Sequence, residues 1–158
     1  IKNPVSRGLV LFPGEHEKKL SWKVYDEEMV GYIDKYIDDS DTILDYKFLD
    51  DANPQKFIRE LQYTSGYLQA SMYVDAIKEE TGNTPDFYYI LAEKKAPFNV
   101  SVVRMTPEYL EAGIVEYRNL VSMLKECKKH NAWGGYEVWA PFSNEGVYDA
   151  EIPYALNI

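Results

Sequence analysis

The chain has 158 residues, of which 46% are hydrophobic and 27% are charged, a composition typical of a soluble folded domain rather than a disordered segment. Its net charge of −9 argues against nucleic-acid binding unless Lys and Arg cluster locally, because phosphate contacts need cations. The single cysteine excludes an internal disulfide and a cysteine-based metal cage. We therefore expect a reduced, cytoplasmic protein, and no apolar run is long enough to predict a membrane span.

The first third of the chain predicts strands. Residues 1–14 contain several Pro and Gly and predict irregular backbone, with a short strand at 9–12. Alternating apolar residues predict strands at 17–25, 29–37 and 42–49, separated by short polar turns. Consecutive strands with such turns indicate an antiparallel meander.

A long helix is predicted after this meander. Asn53 can cap it and Pro54 suits its first position, and the pattern continues to about residue 80, where Gly82 ends it. Gly66 is a weak point at which the helix could kink.

Two strands and a second helix complete the pattern. Residues 86–93 and 98–105 predict a hairpin, and a helix follows from Pro107 to about residue 130. The tail is predicted to be irregular and to pack through three aromatic residues, Trp133, Tyr136 and Trp139. The order βββαββα predicts an α/β or α+β fold with a central mixed β-sheet flanked by helices. We expect residues 1–158 to form a single domain.

Three charged residues of the predicted hairpin GYIDKYIDDSDTILDYKF are candidates for a functional site: Asp34, Asp45 and Lys47. Because side chains alternate across a strand, Asp45 and Lys47 are predicted to share one open face. The residues on the other face are predicted to be buried: Leu44, Tyr46 and Phe48. With Asp34 on the preceding strand, these groups can form a metal-dependent phosphodiester-cleaving site. Carboxylates bind hard cations, the cation polarises the phosphate, and a lysine steadies the attacking water.

Each of these residues also has a purely structural interpretation. Asp34 could be a solvated strand acid, although its apolar neighbours indicate partial burial, where an unpaired carboxylate is costly. Asp45 and Lys47 could be a surface ion pair, but such pairs contribute only about 0–1 kcal/mol. Gln69 could be an ordinary exposed helix residue, and it shares a helix face with Tyr73.

The hairpin and the following segments resemble the PD-(D/E)XK nuclease superfamily, and more narrowly the exonuclease VIII group of RecE-type phage recombination exonucleases. Asp34 followed by Asp45-Tyr46-Lys47 is similar to the family's acidic residue and (D/E)XK element. The helix in YLQASMYVDAI resembles the family's glutamine-bearing helix, with Gln69 at the matching position. The similarity extends through FYYILAEKKAPFNVSVVRM and a later helix to AWGGY. The sequence departs from the family's pattern immediately before Asp34, where Ile33 replaces the family's proline.

The resemblance implies a restriction-endonuclease-like core and an Mg²⁺-dependent exonuclease, with Mn²⁺ as a substitute, that digests linear double-stranded DNA from the 5′ end. The implied metal ligands are three carboxylates and one backbone carbonyl oxygen, from Asp34, Asp45, Glu17 and Tyr46. Lys47 would assist the nucleophilic water, and Gln69 would position water, lysine or phosphate. The family also implies a homo-oligomeric ring around DNA, a single-strand annealing recombinase as partner, and N-terminal helices that we expect to be missing from residues 1–158.

Two alternatives remain open from the sequence. An endonuclease or single-strand nuclease of the same fold would use the same residues on another substrate. A non-catalytic acidic binding or assembly domain would keep the fold with an incomplete site or use a tyrosine-rich surface, and the negative net charge favours it.

Overall fold

Residues 3–133 of the protein are described by a computed structural model, and they contain a five-stranded mixed sheet. The strands are β1 (Glu15–Val24), β2 (Glu27–Ile37), β3 (Thr42–Leu49), β4 (Asp86–Glu93) and β5 (Val100–Arg104). They lie in sequence order, with β3 and β4 parallel and all other neighbours antiparallel. The predicted fold class is confirmed, including the antiparallel meander of β1, β2 and β3.

Helices cover both faces of this sheet. Within residues 3–133 they are α1 (Pro4–Leu11), α2 (Pro54–Thr64), α3 (Gly66–Thr81) and α4 (Pro107–His130). The pair α2–α3 connects the parallel strands β3 and β4, as a parallel connection requires. In the described part of the chain, no helix combines the length and apolar character needed to cross a membrane.

The hydrophobic core lies between the sheet and helices α2 and α3. Fully buried side chains from both layers meet there, including Ile33, Ile43, Val74, Ile77 and Phe87. Burying each such side chain stabilises the fold by about 1.5–3 kcal/mol, so this layer holds β2, β3 and α3 firmly together.

The strand predicted at 9–12 is wrong, because a helix occupies most of this segment. Asn3 caps α1: its Oδ1 accepts from the backbone N–H groups of Val5 at 3.0 Å and Ser6 at 3.2 Å. Pro4 takes the first helical position, where its missing N–H has no cost. This local capping signal outweighs the apolar run that suggested a strand.

Lys35 of β2 ties the end of α1 to the sheet. Its side chain is only 1% exposed, and its ammonium donates to the backbone carbonyls of Val10 at 2.8 Å and Phe12 at 2.5 Å. A longer contact of 3.5 Å reaches the carbonyl of Leu9. Since the last carbonyls of a helix lack partners and carry partial negative charge, a buried lysine satisfies them. Burial lowers the pKa of Lys35 from its usual value.

The long helix predicted from Pro54 is two helices. Ser65 adopts a left-handed conformation with φ of 53°, which ends α2 and begins α3. A Cβ atom at Gly66 would lie 2.8 Å from a methyl carbon of Leu61, so the tight corner favours glycine. The predicted stop at Gly82 is confirmed, with φ of 81° and its N–H donating to the carbonyl of Lys78.

The chain divides into two compact units, Ile1–Ser122 and Met123–Ile158. In the described part of the second unit, near the end of α4, the Glu126 carboxylate lies 3.6 Å from the Lys129 ammonium and 3.3 Å from Nε2 of His130. The predicted packing through Tyr136 and Trp139 lies outside the described residues, while Trp133 is exposed. A single domain over 1–158 stays a prediction.

Candidate active site

Strands β2 and β3 separate at Asp34. Their ladder has three pairs, which end at Lys35 opposite Leu44. Beyond that point the Asp34 carboxylate replaces the backbone acceptor, because the backbone N–H of Tyr46 donates to its Oδ2 at 2.7 Å. Ile33 and Tyr36 both join the same core cluster, so the regular alternation of faces is interrupted between them. Asp34 therefore lies at an opening between two strands.

Asp45 and Lys47 lie on the face of β3 that α3 covers, and their atoms Oδ2 and Nζ are 2.6 Å apart. The predicted shared face is confirmed, but the prediction that this face is open is wrong. Asp45 is 4% exposed, and Lys47 keeps a third of its side chain accessible. Burial of all the apolar residues opposite is also wrong, since Phe48 is 64% exposed.

The helix α1 lies on that opposite face. Ser6 and Val10 of α1 line an apolar cavity of about 280 Å³ together with Tyr46 and Phe48 of β3. The backbone of β3 thus separates this cavity from the charged cluster, because successive side chains point to opposite faces of a strand.

The surroundings of the Asp45 carboxylate have opposing effects on its pKa. Burial raises its pKa, nearby Lys47 opposes this shift, and the negative charge of Asp34 adds to it. Within the described residues, Oδ2 has no hydrogen-bond partner of regular geometry, so its 2.6 Å contact with Lys47 is best described as an ion pair. A buried carboxylate of this kind needs a cation beside it.

Gln69 reaches the cluster from α3. The ammonium of Lys47 donates to Oε1 of Gln69 at 3.3 Å. Nε2 of Gln69 in turn donates to the hydroxyl of Tyr73 at 3.3 Å. Tyr73 is held close to β2, since a Cβ atom at Gly31 would lie 2.6 Å from its ring. Four sequence-predicted residues therefore meet around one opening: Asp34, Asp45, Lys47 and Gln69.

Glu17 does not join this group. The register of β1 and β2 places Glu17 opposite Asp34. However, Glu17 has a φ of 52°, which interrupts the ladder at this point, and its side chain is exposed. In residues 3–133, no three His, Cys, Asp or Glu side chains are arranged to hold a metal ion. A ligand role for Glu17 stays a prediction, as does one for the Tyr46 carbonyl.

The sequence pattern did not identify Tyr89. This residue of β4 pairs with Asp45 in the parallel register, and the Lys47 ammonium lies 5.6 Å from its ring centroid. The strand β4 was predicted, but the site was predicted from the hairpin of β2 and β3 alone. That hairpin does not determine which residue of β4 lies beside Asp45. Burial raises the pKa of Tyr89, so its hydroxyl remains a neutral donor.

The donor atoms of the cluster fit a hard divalent cation. Mg²⁺ usually retains several waters and needs only one or two protein carboxylates, whereas a cage made entirely of protein ligands would need more. Asp34 and Asp45 supply these carboxylates at one opening. The Lys47 ammonium already compensates the negative charge on the buried Oδ2 of Asp45. The two acids would hold such a divalent cation, with water completing the shell.

A family model described as "PDDEXK-like domain of unknown function (DUF3799)" matches residues 2–138. The chain belongs to this family. The arrangement of Asp34, Asp45 and Lys47 agrees with the motif after which PDDEXK-like domains are named. Among curated proteins, none matches the chain.

Solved structures support the same fold. A protein from Eubacterium rectale named "Putative exonuclease" superimposes with a TM-score of 0.64 at 16% identity. The match covers 80% of this chain and 49% of that protein, so this PDDEXK-like chain spans about half of its length. At this identity the comparison establishes a shared fold.

Proposed function

We propose that this PDDEXK-like protein is a divalent-metal-dependent nuclease. The observation that carries the proposal is the meeting of two carboxylates, a lysine and a glutamine where β2 separates from β3. The Asp45–Lys47 pair at the centre of this cluster is expensive to bury, and apolar residues of similar volume often stabilise a fold as well as a buried ion pair does. The chemistry of the cluster suits phosphodiester hydrolysis.

The roles of the side chains follow from their contacts. Asp34 and Asp45 would hold Mg²⁺, which supplies Lewis-acid polarisation of the phosphate and acidifies a bound water. The Lys47 ammonium has three N–H groups, of which one faces Asp45 and one donates to Gln69. The third would donate to the attacking water or to a phosphate oxygen, through the accessible part of the side chain. Gln69 would keep the ammonium aimed at that opening.

We further propose a 5′–3′ exonuclease that acts on linear double-stranded DNA in phage-type recombination. The RecE-type sequence resemblance supports this substrate and polarity, and the name of the Eubacterium rectale protein with the same fold agrees only with an exonuclease activity. The same resemblance supports a ring-shaped homo-oligomer that acts with a single-strand annealing recombinase, and the single cysteine supports a cytoplasmic location.

Cleavage assays with three DNA forms test these proposals. Linear duplex, closed circular duplex and single strands are incubated with Mg²⁺, with Mn²⁺ or with a chelator. We expect digestion of linear duplex alone, and only with metal. Cutting of circles would instead establish an endonuclease, and preference for single strands a single-strand nuclease.

Variants connect the activity to the cluster. Lys47→Ala and Asp45→Asn should abolish cleavage while the protein remains folded, whereas Lys23→Ala, at an exposed lysine of β1, should leave it unchanged. Calorimetric titration with Mn²⁺ should show binding that Asp34→Asn and Asp45→Asn remove. Full activity in the Lys47 and Asp45 variants would refute the site. No activity together with no metal binding would favour the non-catalytic binding domain.

A further inference from the structure

Tyr89 lies beneath the charged cluster and contacts it in two ways. Its side chain is fully buried, and it stands beside Asp45 in the β3–β4 register. Its ring faces the Lys47 ammonium at 5.6 Å from the centroid. Its hydroxyl donates to the backbone carbonyl of Gly66 at 3.1 Å.

The ring of Tyr89 is held in place by two other aromatic residues. Phe57 of α2 and Phe87 of β4 each lie 5.0 Å away, centroid to centroid, with interplanar angles of 70° and 64°. These edge-to-face contacts are favourable because the positive edge of one ring meets the negative face of another. The ring that Lys47 meets therefore has a fixed orientation.

The hydroxyl of Tyr89 holds the beginning of α3. Gly66 is the first residue of that helix and follows the left-handed Ser65. Gln69 lies within the same first turn, so the position of the Gly66 backbone affects where the Gln69 amide points. Gln69 in turn accepts the hydrogen bond from Lys47.

We propose that Tyr89 is a positioning residue for both Lys47 and Gln69 in the phosphodiester-cleaving reaction, and this inference rests on the proposed function. The negative ring face attracts the ammonium and holds it beside Asp45, within the range at which cation–π attraction is significant. The hydroxyl independently anchors the turn that carries Gln69. The two contributions are separable, because Tyr89→Phe keeps the ring and removes the hydroxyl.

Fluorination of the ring tests the first contribution. Fluorine withdraws charge from the ring face with little change of shape, so Tyr89→Phe is compared with fluoro-, difluoro- and trifluorophenylalanine at the same position. We expect kcat on linear duplex to fall stepwise, by about tenfold across the series, while KM stays constant. The same series at Phe48 is the control, since this exposed ring lies on the opposite face of β3 and meets no ammonium among the described residues. Equal kcat values across the Tyr89 series would overturn the proposal.

Nuclear magnetic resonance tests the positioning without any activity. The ring current of Tyr89 should shift the ε-methylene protons of Lys47 upfield, and this shift should persist in Tyr89→Phe and disappear in Tyr89→Leu. The side-chain amide signals of Gln69 should move in Tyr89→Phe. Unchanged signals in either case would overturn the corresponding contribution. An inactive wild-type protein that shows these shifts would refute the nuclease proposal and leave the positioning of Lys47 and Gln69 established.

Discussion

Replacing Lys47 with methionine removes the cation beside a nearly buried carboxylate. Asp45 is 4% exposed, and its Oδ2 lies 2.6 Å from the lost ammonium. Methionine has a similar length and retains the apolar contacts of the lysine stem. The main consequence is therefore electrostatic: the pKa of Asp45, already raised by burial, should rise further.

The size of the effect follows from the exposure of the two partners. Removing one member of a fully buried pair costs about 3–5 kcal/mol, and an exposed pair is worth about 0–1 kcal/mol. Lys47 keeps 33% of its side chain accessible, so solvent screens part of the interaction. We expect Lys47→Met to lower the free energy of unfolding by about 2 kcal/mol at neutral pH without metal.

Urea unfolding of four proteins measures this pair directly. They are the wild type, Lys47→Met, Asp45→Asn and the double variant. With the carboxylate gone, Lys47→Met should cost only about 0.5 kcal/mol, which leaves a coupling energy of about 1.5 kcal/mol. Lys23→Met serves as control, because its exposed pairing with Glu28 at 3.7 Å should contribute almost nothing. An equal cost of Lys47→Met in both backgrounds would refute the interpretation of the Asp45–Lys47 contact.

Three further predictions concern other parts of the structure. Gly31→Ala should displace Tyr73, destabilise the protein by about 1–3 kcal/mol and reduce nuclease activity, as urea unfolding and cleavage assays would show; unchanged activity would contradict it. Lys35→Met should leave helix-end carbonyls of α1 without partners and cost about 2–3 kcal/mol, with faster amide exchange in α1, whereas the exposed Lys19→Met should cost little. Burial raises the pKa of Asp45 in the folded protein above the ordinary value of 3.8 that applies to the unfolded chain. At a pH just above 3.8, the folded protein therefore keeps a proton on Asp45 that the unfolded chain has lost. Stability should therefore fall as pH rises from 3.8 through the raised pKa, and urea unfolding against pH should show that Asp45→Asn removes this decrease.

Local signals in the sequence were sufficient for most of the secondary structure. The bounds of β3 and β4 agree with the alternating patterns at 42–49 and 86–93. Pro54 and Pro107 begin helices where predicted, because a proline at the first helical position and its preceding cap act within a single turn. Strand alternation also determined that Asp45 and Lys47 share a face, since this depends only on a spacing of two residues.

Only the tertiary structure decided what surrounds these residues. Alternation assigns side chains to a face but contains no information about what covers it, so the burial of Asp45 beneath α3 could not be predicted. The break at Ser65 depends on how α2 and α3 pack, and the position of Tyr89 beside Asp45 depends on a parallel pairing between strands distant in the chain. The charges of the site are therefore encoded locally. Their environment, and with it the balance between ion pair and metal ligand, arises from packing between distant segments.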